Sequence, residues 1–197
     1  MKIRNVMKVL ACLACAGTPL MADLVANGSF ETGDFTGWTQ GGSTGANYVT
    51  LGAFEGYTPH NGNYFAALGS VGAEGTLSQA LTTNLGQAYA LTFDLASDGS
   101  TPNDFTVTFN HQIVFAQTNV RATSASAPYG YEHMTFTTVA TSNLTPLIFS
   151  FRDDPGYLAL DDVSVLAVTS ATPEPTLSPL LFLGLSCMLI VRSRAWW

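Results

Sequence analysis

Residues 88–95 read AYALTFDL, and this stretch decides the fold class because large apolar side chains alternate along it with small or polar ones. The large apolar residues are Tyr89, Leu91, Phe93 and Leu95. Successive side chains of a β-strand point to opposite faces, so a period of two predicts a strand with one face in a core and the other in water. An amphipathic helix would repeat its apolar positions every three or four residues, which this stretch does not do.

The same alternation recurs at residues 105–109 and 147–152, and turn sequences separate such runs. Turn-forming residues cluster at 61–63, 97–100, 128–130 and 153–156. We interpret the last of these, Asp153-Asp154-Pro155-Gly156, as a tight turn, with a ligand role as the alternative. Roughly nine or ten short strands at this spacing predict an all-β fold, an antiparallel β-sandwich of the jelly-roll type.

Both ends of the chain have the composition of targeting segments. Residues 1–22 combine a basic start with a short apolar run and a small residue at position 22, which is typical of a secretory signal peptide. Residues 177–191 carry no charge and are followed by Arg192 and Arg194. We predict a single transmembrane helix over 177–191, about 22 Å long at 1.5 Å per residue. The positive-inside rule places its basic end in the cytoplasm and the β-domain outside.

The predicted body of the protein is a domain over residues 23–168, followed by a linker over 169–172. None of the three cysteines lies in this body, which excludes a disulfide framework and a thiolate metal site. Residues 23–172 carry thirteen carboxylates against Arg121 and Arg152, a net charge of −11. This charge excludes nucleic acid as a partner because the phosphates would be repelled. It suits a soluble extracellular protein or one that binds calcium.

The C-terminal segment resembles a known sorting signal. Pro173-Glu174-Pro175, the apolar helix, and Arg192 and Arg194 resemble a PEP-CTERM sorting tail, although the chain ends in Ala-Trp-Trp rather than in a denser basic cluster. The resemblance covers residues 173–197. It implies processing by an exosortase-type enzyme during export, in bacteria that make exopolysaccharide. The implied location is the cell envelope or extracellular matrix, with transient anchoring in the membrane and a cytoplasmic C-terminus.

Two further motifs lie at the start and end of the body. Asn27-Gly28-Ser29-Phe30-Glu31 with Gly37-Trp38, and Leu160-Asp161-Asp162-Val163-Ser164-Val165, resemble the first and last strands of galactose-binding-like jelly rolls, which include carbohydrate-binding modules. In that group the first and last strands are neighbours and often hold a structural calcium ion.

The resemblance implies that Glu31 and Asp161 help to bind one structural Ca²⁺ through oxygen ligands. Alternation puts Asp161 on the same face as Ala159, Val163 and Val165, where a buried carboxylate needs compensation. The alternatives are that Asp161 accepts hydrogen bonds from a neighbouring turn and that Glu31 faces water.

Loop aromatic residues are the candidates for binding a sugar. Tyr129 and Tyr131 flank Gly130, so we predict that they project from one loop as ligand-binding residues, whereas Trp38 and Phe35 are assigned to the core. The three histidines are scattered in sequence, and no nucleophile elbow or phosphate loop is present.

The sequence therefore predicts a non-catalytic exported surface or matrix protein, associated with extracellular polysaccharide. The alternatives are a glycan-binding module and a polysaccharide hydrolase, that is, a glycoside hydrolase.

Overall fold

The computed structural model describes residues 21–154 and 156–169, and within them it contains ten β-strands and no helix. The signal peptide up to residue 20, the sorting tail over 173–197 and the helix predicted over 177–191 lie outside the described residues. Within the described part, no helix is long and apolar enough to cross a membrane. The strands are β1 Thr39–Gly42, β2 Asn47–Leu51, β3 Tyr64–Leu68, β4 Gly75–Thr82, β5 Ala88–Ser97, β6 Asn103–Phe109, β7 Gln112–Thr118, β8 Glu132–Val139, β9 Leu144–Asp153 and β10 Leu158–Ala167.

The strands form two five-stranded sheets in which every pair is antiparallel. The first sheet has the order β1-β4-β9-β6-β7 and the second has the order β2-β3-β10-β5-β8. Without the short β1 and β2, the remaining eight strands have the order of a jelly roll. The predicted all-β sandwich and its number of strands are therefore confirmed.

Aromatic side chains fill the space between the sheets. Phe93 of the second sheet meets Phe149 of the first edge to face, with ring centroids 5.5 Å apart, and Phe105 lies 5.9 Å from Phe149. Trp38 stacks on Phe30 at 5.8 Å and donates its indole N–H to the carbonyl oxygen of Asn27 at 3.0 Å. Trp38 is buried and Phe35 packs against this core, as predicted.

The motif that begins at Asn27 lies beside the last strand, but it is not a strand itself, because the first strand begins at Thr39. The Val163 N–H donates to the Gly28 carbonyl oxygen at 3.0 Å, and the Leu24 N–H donates to the Val165 carbonyl oxygen at 3.0 Å. A β-carbon on Gly28 would lie 1.9 Å from the Val163 oxygen. Glycine at position 28 therefore allows two backbone segments to touch.

The assignment of Asp161, Val163 and Val165 to one face is wrong. A β-bulge between Asp161 and Ser164 interrupts the pairing of β10 with β5, and Asp162 has a φ of 49°. Since the bulge inserts an extra residue, the alternation changes phase. Ala159 lies on the outer face of the second sheet, whereas Val163 and Val165 belong to the main core between the sheets.

A smaller cluster covers part of the outer face of the second sheet. We call it the loop cluster, and its buried members are Tyr57, Phe65, Ala67, Ala96 and Ala159. Phe54, Tyr129, Tyr131 and Tyr157 pack against it from the loops. Small residues on three neighbouring strands leave room for aromatic rings from the loops, and this arrangement positions the candidate site.

Candidate functional site

Three titratable side chains form a row across the second sheet. Asp94 of β5 is paired in register with His133 of β8 on one side and with Asp161 of β10 on the other. Asp94 is only 2% exposed, and both of its carboxylate oxygens lie 3.1 Å from Nδ1 of His133. The sheet register therefore brings together groups that are far apart in sequence.

A second histidine reaches this row from the loop between β2 and β3. Nδ1 of His60 lies 2.8 Å from Oδ2 of Asp162 and 3.6 Å from Oδ2 of Asp94. The hydrogen bond to Asp162 is the main cause that raises the pKa of His60. His60, Asp94 and Asp162 each offer one atom that could bind a metal ion, and these three atoms lie within 4.8 Å of one another.

The three histidines are scattered in sequence, but the structure brings two of them together. His60 and His133 meet at Asp94, while His111 lies in the turn between β6 and β7. No sequence spacing indicated this contact, because the three partners come from different loops and strands of the second sheet.

Asp161 and Glu31 hold the two ends of one turn, residues 60–64. Asp161 is fully buried and accepts backbone N–H groups from His60 at 3.0 Å, Asn61 at 3.3 Å and Asp162 at 2.8 Å. Burial, and then the charge of Asp162, raise the pKa of Asp161 to about 7. Exposed Glu31 accepts the N–H groups of Asn63 and Tyr64, each at 2.8 Å, and these bonds lower its pKa.

The structure thus shows the hydrogen-bonded alternative for Asp161. N–H groups of the turn, rather than carbonyl oxygens, face Glu31 and Asp161. Calcium requires oxygen ligands, so the turn in this conformation adds none to the two carboxylates. Calcium binding by these two residues stays a prediction.

The two tyrosines proposed as ligand-binding residues both pack against the loop cluster. The Tyr129 ring lies 5.1 Å from that of Tyr57, and the Tyr131 ring lies 5.2 Å from that of His60. The Tyr131 hydroxyl oxygen is buried and has no hydrogen-bond partner among the described residues. Burial is the main cause that raises the pKa of Tyr131 far above its usual value. Each ring is therefore half-buried.

Sequence reasoning missed two further loop aromatics. Phe54 and Tyr157 meet edge to face at 5.1 Å, and Phe54 also contacts Tyr48 at 6.2 Å. Tyr48 is 46% exposed. Neither Phe54 nor Tyr157 belongs to a motif, and their proximity follows from loops that leave different strands at the same end of the sandwich.

A cavity of about 610 Å³ opens beside Tyr131, where β7 and β8 are joined by the loop over residues 119–131. Its lining residues are Gln117, Val120, Arg121, Ala122, Thr123, Tyr131 and Glu132. The volume is in the range of ligand sites, about 300–1,000 Å³. The lining combines one aromatic wall with amide, guanidinium, hydroxyl and carboxylate groups, a composition suited to a small polar ligand.

Residues 23–165 match the model of the family described as "Protein of unknown function (DUF642)". The chain belongs to this family. The match extends across the sandwich of this DUF642 chain, from the segment beside β10 to β10 itself. No curated protein matches it in sequence.

Solved structures with a similar fold include carbohydrate-binding modules. TmCBM61, solved with β-1,4-galactotriose, has a TM-score of 0.52 and 18% identity over 75% of this chain and 99% of its own. The CBM22-1 xylan-binding domain of Paenibacillus barcinonensis Xyn10C has a TM-score of 0.51 and 19% identity over 79% of this chain and 100% of its own. The CBM22-1–GH10 modules of Clostridium thermocellum Xyn10B, solved with xylohexaose, have a TM-score of 0.50 and 17% identity over 78% of this chain and 30% of their own. At such identities the similarity shows a common fold.

Proposed function

We propose that this protein is an exported, non-catalytic module that binds an oligosaccharide or polysaccharide in the cavity beside Tyr131. The observation that carries the proposal is the lining of this cavity. The Tyr131 ring offers an apolar wall for a pyranose face, while Gln117, Arg121 and Thr123 offer donors and acceptors for sugar hydroxyls. The fold is shared with carbohydrate-binding modules, which supports the same ligand class.

The chemistry of the cavity supports binding rather than hydrolysis. Glycoside hydrolysis ordinarily needs two carboxyl groups on opposite sides of the bond that is cleaved. Among the described residues that line the cavity, Glu132 alone carries a carboxylate. A single carboxylate can accept hydrogen bonds from hydroxyl groups, but it lacks the second group that would complete an acid–base pair. The hydrolase alternative is therefore the weaker one.

A glycan array probed with the purified full-length chain tests the proposal. It should include β-1,4-galactan and xylan fragments, because modules with this fold were solved with such sugars or named for them. We expect binding to at least one glycan and at least tenfold weaker binding after Gln117→Ala or Glu132→Gln. Tyr48→Phe, on the opposite edge of the second sheet, is the matched control and should bind like wild type. A flat response, or binding that neither cavity variant weakens, would refute the proposal.

Export and sorting belong to the same proposal and depend on the two ends of the chain. The signal peptide over 1–22 would direct export, and the tail over 173–197 would hold the protein in the membrane until an exosortase-type enzyme processes it. The net charge of −11 over residues 23–172 is compatible with an extracellular location. Fractionating cells that express the chain with and without residues 173–197 tests this part. An unchanged location after truncation would contradict it.

The structural Ca²⁺ at Glu31 and Asp161 is a separate part of the proposal. Its support is the mutual repulsion of Asp161 and Asp162, since the charge of Asp162 contributes to the raised pKa of Asp161. A bound cation would relieve that repulsion if the turn over residues 60–64 rotated its carbonyl oxygens inward. Glu31→Gln should then reduce the thermal stabilisation that calcium gives, and an unchanged stabilisation would exclude this site.

A further inference from the structure

Asp153, the last residue of β9, has a carboxylate that the fold leaves without compensation. Its side chain follows the inward-facing Phe149 and Phe151 and is 0% exposed. Oδ1 accepts a hydrogen bond from the Gly156 N–H at 3.3 Å, but Oδ2 is buried and has no donor among the described residues. A buried polar atom without a partner is costly, and a buried charge is more so.

A second carboxylate, that of Asp98, lies near the carboxylate of Asp153. Asp98, in the loop between β5 and β6, binds the backbone N–H of Ser100 at 2.7 Å and its hydroxyl at 2.9 Å. A β-carbon placed on Gly156 would lie 3.2 Å from Oδ2 of Asp98 and 3.3 and 3.4 Å from the two oxygens of Asp153. The two acidic groups therefore converge over the backbone of Gly156. Burial, and then the charge of Asp98, raise the pKa of Asp153 to about 7.

Among the described residues, no lysine or arginine forms an ion pair with Asp98 or Asp153. Residues 23–169 contain no lysine and only two arginines. Arg152 forms an ion pair with Asp154, and Arg121 lines the cavity beside Tyr131. The charges that act on Asp153 within the described part of the chain are those of Asp98 and Asp154, and both oppose its ionisation.

A small cavity opens beside Asp98 and Gly156. Its volume is about 160 Å³, and its lining residues are Glu55, Tyr57, Asp98, Ser100, Gly156 and Tyr157. Asp153 does not line the cavity, but its carboxylate lies against Gly156, which does. These residues offer carboxylate, hydroxyl and backbone carbonyl oxygens and no thiol or imidazole. Such a donor set selects hard cations, and Ca²⁺ takes six to eight oxygen ligands at about 2.3–2.6 Å.

We propose that Asp98 and Asp153 jointly bind one Ca²⁺ ion at this end of the sandwich, with Glu55 as a further carboxylate at the rim. The ion would join the end of β9 to the loop that follows β5, one strand from each sheet. This site is distinct from Glu31 and Asp161, and it does not depend on glycan binding. It assigns a ligand role to the turn that begins at Asp153.

Calcium titration of the EDTA-treated full-length chain tests the proposal, by calorimetry and by thermal unfolding at pH 7.5. We expect calcium to raise the melting temperature of wild type. Asp153→Asn and Asp98→Asn should bind at this site at least tenfold more weakly and lose most of that rise. Asp154→Asn removes the neighbouring carboxylate and is the matched control, which should respond like wild type. Asp153→Asn should remain folded without calcium, because the neutral isostere removes an uncompensated buried charge.

Three results would overturn the proposal. The first is that calcium neither binds nor stabilises wild type. The second is that calcium stabilises Asp153→Asn as much as wild type. The third is that the effect of calcium is lost only in Glu31→Gln, which would place the ion at Glu31 and Asp161. A wild type that ignores calcium but is stabilised by acidification, in contrast to Asp153→Asn, would show that Asp153 is a neutral carboxyl group and not a ligand. The glycan array is measured separately, so its failure would leave the calcium result intact.

Discussion

Replacing Tyr57 with phenylalanine removes one oxygen atom from the loop cluster and tests whether that atom holds the loops together. Tyr57 is almost fully buried. Its hydroxyl donates to the Tyr157 carbonyl oxygen at 2.5 Å and accepts the Asp98 N–H at 2.9 Å. The two bonds connect the loop after β2 with the loops that follow β5 and β9. Phenylalanine keeps the ring contacts with Phe65 and Tyr129 and deletes only these bonds.

The expected cost follows from what the deletion leaves behind. One backbone carbonyl and one backbone N–H lose their partner, and each buried unsatisfied group costs about 1–3 kcal/mol. Two such groups together cost about 2–6 kcal/mol, and because Asp98 is only partly buried, we expect a total in the lower half, about 2–4 kcal/mol. For a domain of this size, 1 kcal/mol corresponds to roughly 2–4 °C in melting temperature, so we expect a decrease of about 4–16 °C.

Tyr131→Phe is the matched control for Tyr57→Phe. The Tyr131 hydroxyl is buried near the same cluster but has no partner in the described part of the chain, so its removal should be neutral or slightly stabilising. Thermal unfolding followed by circular dichroism, together with urea titration, compares the two variants with wild type. The reasoning is refuted if Tyr57→Phe costs less than about 1 kcal/mol, or if Tyr131→Phe costs as much as Tyr57→Phe.

The remaining predictions concern the first motif, the histidine network and the core. Gly28→Ala should lower the free energy of unfolding in urea by about 1–3 kcal/mol, because its β-carbon would lie 1.9 Å from the Val163 carbonyl oxygen. Gly45→Ala is the control and should be near neutral, because a β-carbon there would have nothing within 4 Å. Equal effects of the two variants would contradict the packing argument. Asp162→Asn should lower the pKa of His60, measured by NMR titration, because the hydrogen bond to Asp162 raises that pKa. The contribution of this bond to stability is full below about pH 6.5 and is lost as the pH rises through the raised pKa of His60. An unchanged pKa in the variant would contradict this account. Phe149→Ala should cost about 3–5 kcal/mol in urea unfolding because its ring is fully buried among aromatic neighbours, and a cost below about 1 kcal/mol would not fit that position.

The sequence predicted the sandwich because its strands alternate cleanly. Residues 88–95 form the first eight positions of β5, with their large apolar side chains in the main core. Asp161 was assigned to the same face as Val163 and Val165, which is wrong because a β-bulge shifts the phase of alternation. Neither Asp161 nor Asp162 is a residue that would predict a bulge from the sequence. The alternation of apolar residues along one strand does not show a bulge, because a bulge is defined by the pairing with a neighbouring strand.

The candidate site was harder to predict than the fold for the same reason. His60, Asp94 and His133 lie more than thirty residues apart in sequence, and the order β3-β10-β5-β8, with the loop that precedes β3, brings them together. Asp153 looked like a turn residue because Pro and Gly follow it, yet it is the inward-facing end of β9. Tyr131 was selected from its position in a loop, and the structure adds the cavity that it lines.

NMR mapping of a bound oligosaccharide tests the central claim most directly. The glycan that binds best on the array would be titrated into the isotope-labelled full-length chain while backbone amide shifts are followed. We predict that the shifts concentrate in residues 117–132, which contain the lining of the cavity beside Tyr131. Saturable shifts confined to another surface, or no shifts at all, would contradict the assignment of glycan binding to this cavity.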